Sequence, residues 1–260
     1  MTSSIRVAVS TVAAVLLSLA ATSTAQAVPV ISNGGFEAGL TSWTRVDQLG
    51  SEGTFFSQSG SLSPVNGNPV PPPPEGTRAA MTDAQGPGSH VLYQDFAATP
   101  GGATLSFALF IGNRADQFAT PTPPSLDFST PALNQQARVD ILKSAADPFS
   151  VAAGDVLLNL YQTKPGDPLV SGYNTIMTDI SALLAAHVGE TLRLRFAESD
   201  NIFMFQMGVD NVRFDQVAVP EPGLTLTFGV ALALLIGCRV GGPLATRARL
   251  REIETHLPSA

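Results

Sequence analysis

The chain has a single cysteine, Cys238, and it lies close to the C-terminus. No disulfide can therefore form within 28–218, and thiol catalysis and cysteine zinc clusters are excluded there. Histidine is almost as scarce: only His90 and His187 occur in that stretch. There is no Gly-x-Ser-x-Gly elbow and no phosphate-cradling glycine loop, so the common hydrolase and nucleotide-binding signatures are absent. Basic residues are also few. Between 28 and 218, nine arginine and lysine side chains face eighteen carboxylates. Such a surface disfavours nucleic acid and anionic lipid as partners. No internal repeat occurs, and no stretch long enough for a major helix keeps a 3.6-residue apolar period.

What remains is the punctuation of a β protein. Short alternating runs are separated by Gly, Pro, Asn and Asp, which predicts strands over 42–47, 53–57, 78–82, 90–97, 103–112, 137–143, 155–161, 190–197 and 205–214. Leu105, Phe107, Leu109 and Ile111 alternate with smaller residues, and Leu192, Leu194 and Phe196 alternate with Arg193 and Arg195. That pattern describes strands with one wet face, hence an all-β antiparallel sandwich. One helical turn is expected over 179–186, capped by Asp179 and ended by Gly189. The proline-rich stretches 59–76 and 113–134 read as surface loops or as a binding rim.

Both ends of the chain differ from this middle. Arg6, the apolar run 7–21 and Ala25-Gln26-Ala27 have the form of a secretory signal peptide, giving a domain order of 1–27, 28–218 and 219–260. In the last part, Val219-Pro220-Glu221-Pro222 precedes an apolar run, 224–238, and then a basic tail, 239–260, with Arg239, Arg247, Arg249 and Arg251. The charge asymmetry predicts a transmembrane helix with the domain outside and the arginines inside. Pro220, Glu221, Pro222 and Arg239 together resemble the PEP-CTERM sorting signal of bacteria that secrete extracellular polysaccharide. That resemblance implies an exosortase-type membrane protease as partner. It also implies an inner-membrane intermediate and a final place at the cell surface or in the extracellular matrix, unless the tail is retained as an anchor.

A second resemblance spans most of 30–214. Asn33-Gly34-Gly35-Phe36-Glu37 with Leu40 and Trp43 looks like the opening strand of galactose-binding-like jelly rolls, which include carbohydrate-binding modules. Val209-Asp210-Asn211-Val212 looks like their closing strand. The resemblance implies a jelly-roll β-sandwich and a structural calcium held by Glu37 and Asp210, completed by backbone carbonyls and water. Among the aromatic residues, Tyr173 follows Ser171-Gly172 and is the candidate exposed ring for a ligand. Trp43 is expected in the core, and Phe203 and Phe205 are expected either in the core or lining a concave surface. His90 is expected at the surface and His187 at a helix end. Glu198 and Asp200 could form a glycosidase pair, or could simply be solvated loop carboxylates.

The resulting expectation is an exported, non-catalytic structural component associated with exopolysaccharide or biofilm. One alternative is a carbohydrate-binding or adhesion module. The other is a glycan-active hydrolase.

Overall fold

The computed structural model describes residues 30–216. Among these residues, ten strands form two antiparallel five-stranded sheets. The first sheet has the order β1 (Thr44–Asp47), β4 (Gly88–Ala97), β9 (Thr191–Asp200), β6 (Gln135–Lys143), β7 (Val156–Gln162). The second has β2 (Thr54–Gln58), β3 (Ala79–Asp83), β10 (Phe205–Gln216), β5 (Ala103–Asn113), β8 (Asn174–Asp179). Nine of the ten strands lie where alternation places them. The expected all-β antiparallel sandwich is therefore observed, and the described residues make a compact unit with a closed core. The signal peptide, the apolar run 224–238 and the residues Pro220, Glu221, Pro222 and Arg239 lie outside the described residues. Among the described residues no helix is long and apolar enough to cross a membrane.

Period-two alternation builds the core. Leu192, Leu194 and Phe196 of β9, Leu92 and Phe96 of β4, and Leu105, Phe107, Leu109 and Ile111 of β5 meet between the sheets. Trp43 is buried as expected, 5.2 Å from the Phe36 ring, and its indole N–H donates to the Asn33 carbonyl. The opening and closing motifs do meet: the Val212 N–H donates to the Gly34 carbonyl at 2.9 Å. A Cβ at Gly34 would overlap the Val212 carbonyl oxygen. Gly34→Ala is therefore expected to lower the melting temperature by several degrees, roughly what 1–2 kcal/mol produces in a domain of this size. Thermal melts of the two proteins check it.

The expectation of wet outer faces needs correction. β6 is buried along all but its last residue, and β9 along all but its first. Arg195 is fully buried, and Arg193 nearly so. The reason lies in the loops. Leu126 from the 114–134 stretch packs on Val91 and Ala197, on the outer side of the first sheet, and Phe149 and Val151 join it. Val70 from the proline-rich stretch packs on Met81 and Phe110, on the outer side of the second. The long loops are covers, and they turn both sheets into inner layers.

Two local expectations also change. The strand β8 was not anticipated, because Asn174-Thr175-Ile176-Met177-Thr178-Asp179 carries only two large apolar residues. It pairs at the edge of β5, with Asp179 opposite Thr104. The helix α1 (Ser181–Ala186) consequently starts later than expected, with Ile180 at its N-cap position. Asp179 accepts the Ser181 N–H at 2.8 Å from one residue upstream. His187 ends the helix, as expected.

Candidate functional site

Three regions hold the residues that sequence reasoning singled out. The first joins the two ends of the domain. Glu37 is exposed, and its carboxylate accepts the Thr77 N–H (2.8 Å), the Arg78 N–H (2.9 Å) and the Thr77 hydroxyl (2.8 Å). Those bonds, led by the Thr77 N–H, hold its pKa below the ordinary carboxylate range. Asp210 is fully buried and accepts the Glu75 N–H (3.2 Å) and the Asn211 N–H (2.7 Å). The two carboxylates thus hang from the same short strip, 75–78. Burial pushes Asp210 up to about 6, and the nearby charges of Glu75 and Glu37 add to the rise.

Among the described residues Asp210 has no ion-pair partner. Its uncompensated charge, the all-oxygen donors and the nearby Glu37 fit a hard cation such as calcium in charge and atom type. Among the described residues no cluster of three or more His, Cys, Asp or Glu is arranged for a metal. The rest of such a shell would have to be backbone carbonyls and water.

Tyr173 lies beside this region, but not as an exposed ring. Its ring packs 5.8 Å from that of Phe110, within the cluster of Val70 and Met81. Its hydroxyl is buried without a hydrogen-bond partner, and a Cβ at Gly208 would come within 2.6 Å of it. Burial, and then the negative charge of Asp210, drive the phenol pKa upward. The expected stacking platform is therefore a cover contact: the missing side chain at Gly208 leaves room for the ring.

The second region is the loop edge where β1, β5 and β9 end. Phe205 is in the core, whereas Phe203 is 53% exposed. Leu133 is 54% exposed and Leu49 97%. The loops carrying them are tied together by side-chain amides. Asn201 donates to the carbonyls of Phe128 (3.1 Å) and Ala132 (2.8 Å) and accepts the Asn134 N–H (2.8 Å). Gln135 donates to the Phe203 carbonyl (2.8 Å) and accepts the Ile202 N–H (3.2 Å). Gln48 bonds Asp127 and accepts the Phe128 N–H. Three exposed apolar side chains thus stand on loops that share an ordered polar frame.

The third region lies beneath that edge and corrects two expectations. Glu198 and Asp200 are not solvated, and His90 is not at the surface. All three are buried, at 1%, 2% and 1% exposure. They continue the inward-facing series of β9 and β4, so they lie between the sheets at one end of the core. His90 Nδ1 bonds Asp47 at 2.8 Å. Burial and the neighbouring Asp200 charge lift Glu198 well above its ordinary range, and burial lifts Asp200 to about 7. A pair sealed in the core cannot flank a polymer substrate.

No family model and no curated protein matches this chain. Solved structures do resemble it. TmCBM61, solved in complex with beta-1,4-galactotriose, is 8% identical, matches 74% of this chain and all of its own, and has a TM-score of 0.43. A structure described for carbohydrate-binding modules of the β-sandwich superfamily is 16% identical over 71% of this chain and 62% of its own, with a TM-score of 0.44. The K3 cleaved adhesin domain of Lys-gingipain from Porphyromonas gingivalis is 14% identical over 72% of this chain and 98% of its own, with a TM-score of 0.43. At these identities and overlaps the likeness transfers neither a role nor a ligand.

Proposed function

We propose that this chain is an exported, non-catalytic binding or adhesion module, and that the Leu49–Leu133–Phe203 edge is its contact surface. The observation that carries this reading is the ordered frame around exposed apolar side chains. Gln135 holds the Phe203 backbone on loops that Asn201 cross-ties, which leaves the Phe203 ring standing outward on an ordered base. Phe203 supplies a flat apolar face of the kind on which sugar rings stack. The non-catalytic part of the reading rests on chemistry. The Glu198–Asp200 pair is enclosed, and His90 is committed to Asp47.

Export rests on the sequence pattern of the two ends, and the PEP-CTERM-like tail adds processing by an exosortase-type protease. Intact-mass analysis of the protein recovered from its native cell surface tests this part. A mass corresponding to a chain that begins near Val28 and lacks the residues after Pro222 is expected. A full-length mass would reject it. A structural calcium at Glu37 and Asp210 belongs to the same reading. Those two carboxylates would hold the ion, which would supply positive charge at the junction of the opening and closing segments.

The test of binding is a glycan array probed with the purified 28–218 domain, with the host's own extracellular polysaccharide included. Saturable binding to at least one glycan is expected. A uniformly blank array would favour a passive matrix component. Release of reducing ends from any of the glycans would favour the hydrolase instead.

A further inference from the structure

Directly below the contact edge, two carboxylates sit side by side with no lysine or arginine among the described residues paired to either. Glu198 and Asp200 lie two residues apart on the inward side of β9, both sealed from solvent, with Thr82 on the opposite sheet nearby. Two carboxyl groups enclosed so near one another can share a hydrogen bond only when one of them carries a proton. Asp200 Oδ1 in turn accepts the Gly88 N–H at 2.8 Å, and Glu198 Oε1 is buried with no partner.

Of the described groups around the pair, His90 is the one base, in register with Glu198, and its Nδ1 is already committed to Asp47. β1 presents Asp47, whose charge opposes ionisation of Glu198. β4 presents His90, bound through Nδ1 to Asp47, with Nε2 buried and unpartnered. β3 presents the neutral Thr82, whose hydroxyl also accepts the Met207 N–H of β10 (2.8 Å). β6 presents the neutral Gln135, opposite Asp200 in register. The nearby loop adds the exposed carboxylate of Glu52, against Gly86. Among the described residues no arginine or lysine forms an ion pair with Glu198 or Asp200.

The same place anchors the edge. Asp200 is the last residue of β9 and leads straight into the 201–204 loop. Gln135, beside Asp200, holds both the carbonyl of Phe203 and the N–H of Ile202. We propose that the Glu198–Asp200 pair is a proton-held latch: one shared proton keeps the base of the 201–204 loop closed, and its loss drives the carboxylates apart and loosens the loop. Its consequence for ligand binding rests on the reading of that edge as the contact surface; the latch itself does not.

The direction of the pH dependence follows from the raised acids. The folded domain holds protons here that the unfolded chain releases near pH 4. Stability from this pair is therefore greatest in acid and declines as pH rises from about 4 through about 7, and further as Glu198 ionises. A module so built holds its contact edge firmly in mildly acidic surroundings and relaxes it in alkaline ones.

Hydrogen exchange of the 28–218 domain, corrected for the intrinsic pH dependence of amide exchange, tests the latch without any ligand. Between pH 5 and pH 8.5, protection of the 202 and 203 amides is expected to fall by about tenfold or more relative to that of β5. In Glu198→Gln, which keeps the shape and removes one charge, that loss should vanish. Asp200→Asn provides the same comparison if the first variant does not fold. Equal losses in the native and substituted proteins, or no loss in either, would overturn the latch. A blank glycan array would leave this result untouched, so the two proposals fail separately.

Discussion

Asp140→Ala is expected to destabilise the domain by about 3–5 kcal/mol, because it leaves two buried guanidinium groups without their shared counter-ion. Arg138 grips the Asp140 carboxylate with two 2.7 Å bonds, Arg195 bonds the same group, and the Asn159 amide donates at 2.8 Å. Arg195 and Asp140 are both fully enclosed, and Arg195 also donates to the carbonyls of Pro148 and Ser150, pinning the 146–150 cover to the sheet. Against a typical total of roughly 5–15 kcal/mol, the loss is enough to unfold much of the protein at 37 °C. Urea unfolding followed by the fluorescence of Trp43 measures it. Burial alone would raise the Asp140 pKa, but the Arg138 hydrogen bonds and the two positive charges hold it below the ordinary carboxylate range. Its stabilisation is therefore present above the unfolded carboxylate pKa and lost in strong acid. The sign is opposite to that of the Glu198–Asp200 pair, so the domain should be most stable in mildly acidic solution.

Calcium is expected to raise the melting temperature of the 28–218 domain, with Asp210 as the group that responds. At a hundredfold excess over its dissociation constant, an ion that binds only the folded state stabilises by about 2.7 kcal/mol, several degrees for a domain of this size. Asp210 needs the cation most. It is buried, it faces Glu37 and Glu75, and its acid form persists up to about pH 6. The calcium effect should therefore be larger at pH 7.5 than at pH 5, where protonated Asp210 competes. Asp210→Asn should remove most of the effect while preserving the Glu75 and Asn211 contacts in shape. Identical melting curves with saturating calcium and with chelator, at pH 7.5, would reject the site and leave Glu37 as a cap for the 77–78 backbone alone.

How far the sequence could be read follows from which forces act locally. Alternation along β4, β5 and β9 reflects packing within each strand, so those strands and the core residues Trp43 and Phe196 were legible. β8 was not, because an edge strand buries little and needs few apolar residues. The covers were misread for a different reason. Val70, Leu126 and Phe149 are isolated apolar residues in proline-rich or polar stretches, and only the tertiary fold shows which sheet face receives them. That error carried over to Arg195, whereas His90 and Glu198 were misread because their polar side chains mask the inward continuation of β4 and β9. A signal did exist: Arg138-x-Asp140 and Arg193-x-Arg195 place complementary charges at period two on neighbouring strands. Glu37 and Asp210 were brought onto one strip as the resemblance implied, whereas Tyr173 was turned inward by Gly208.

The most direct test of the contact edge is the affinity of the 28–218 domain for the host's extracellular polysaccharide, compared between the native protein and Phe203→Ala. Removing an exposed ring from a loop tip should leave the melting temperature within about a degree or two, since surface substitutions cost roughly 0.5 kcal/mol or less. Binding, if the edge is the contact surface, should weaken by about tenfold or more, the cost of losing one stacked aromatic anchor. Saturable binding that Phe203→Ala leaves unchanged, or no binding by the native domain at all, would contradict the account.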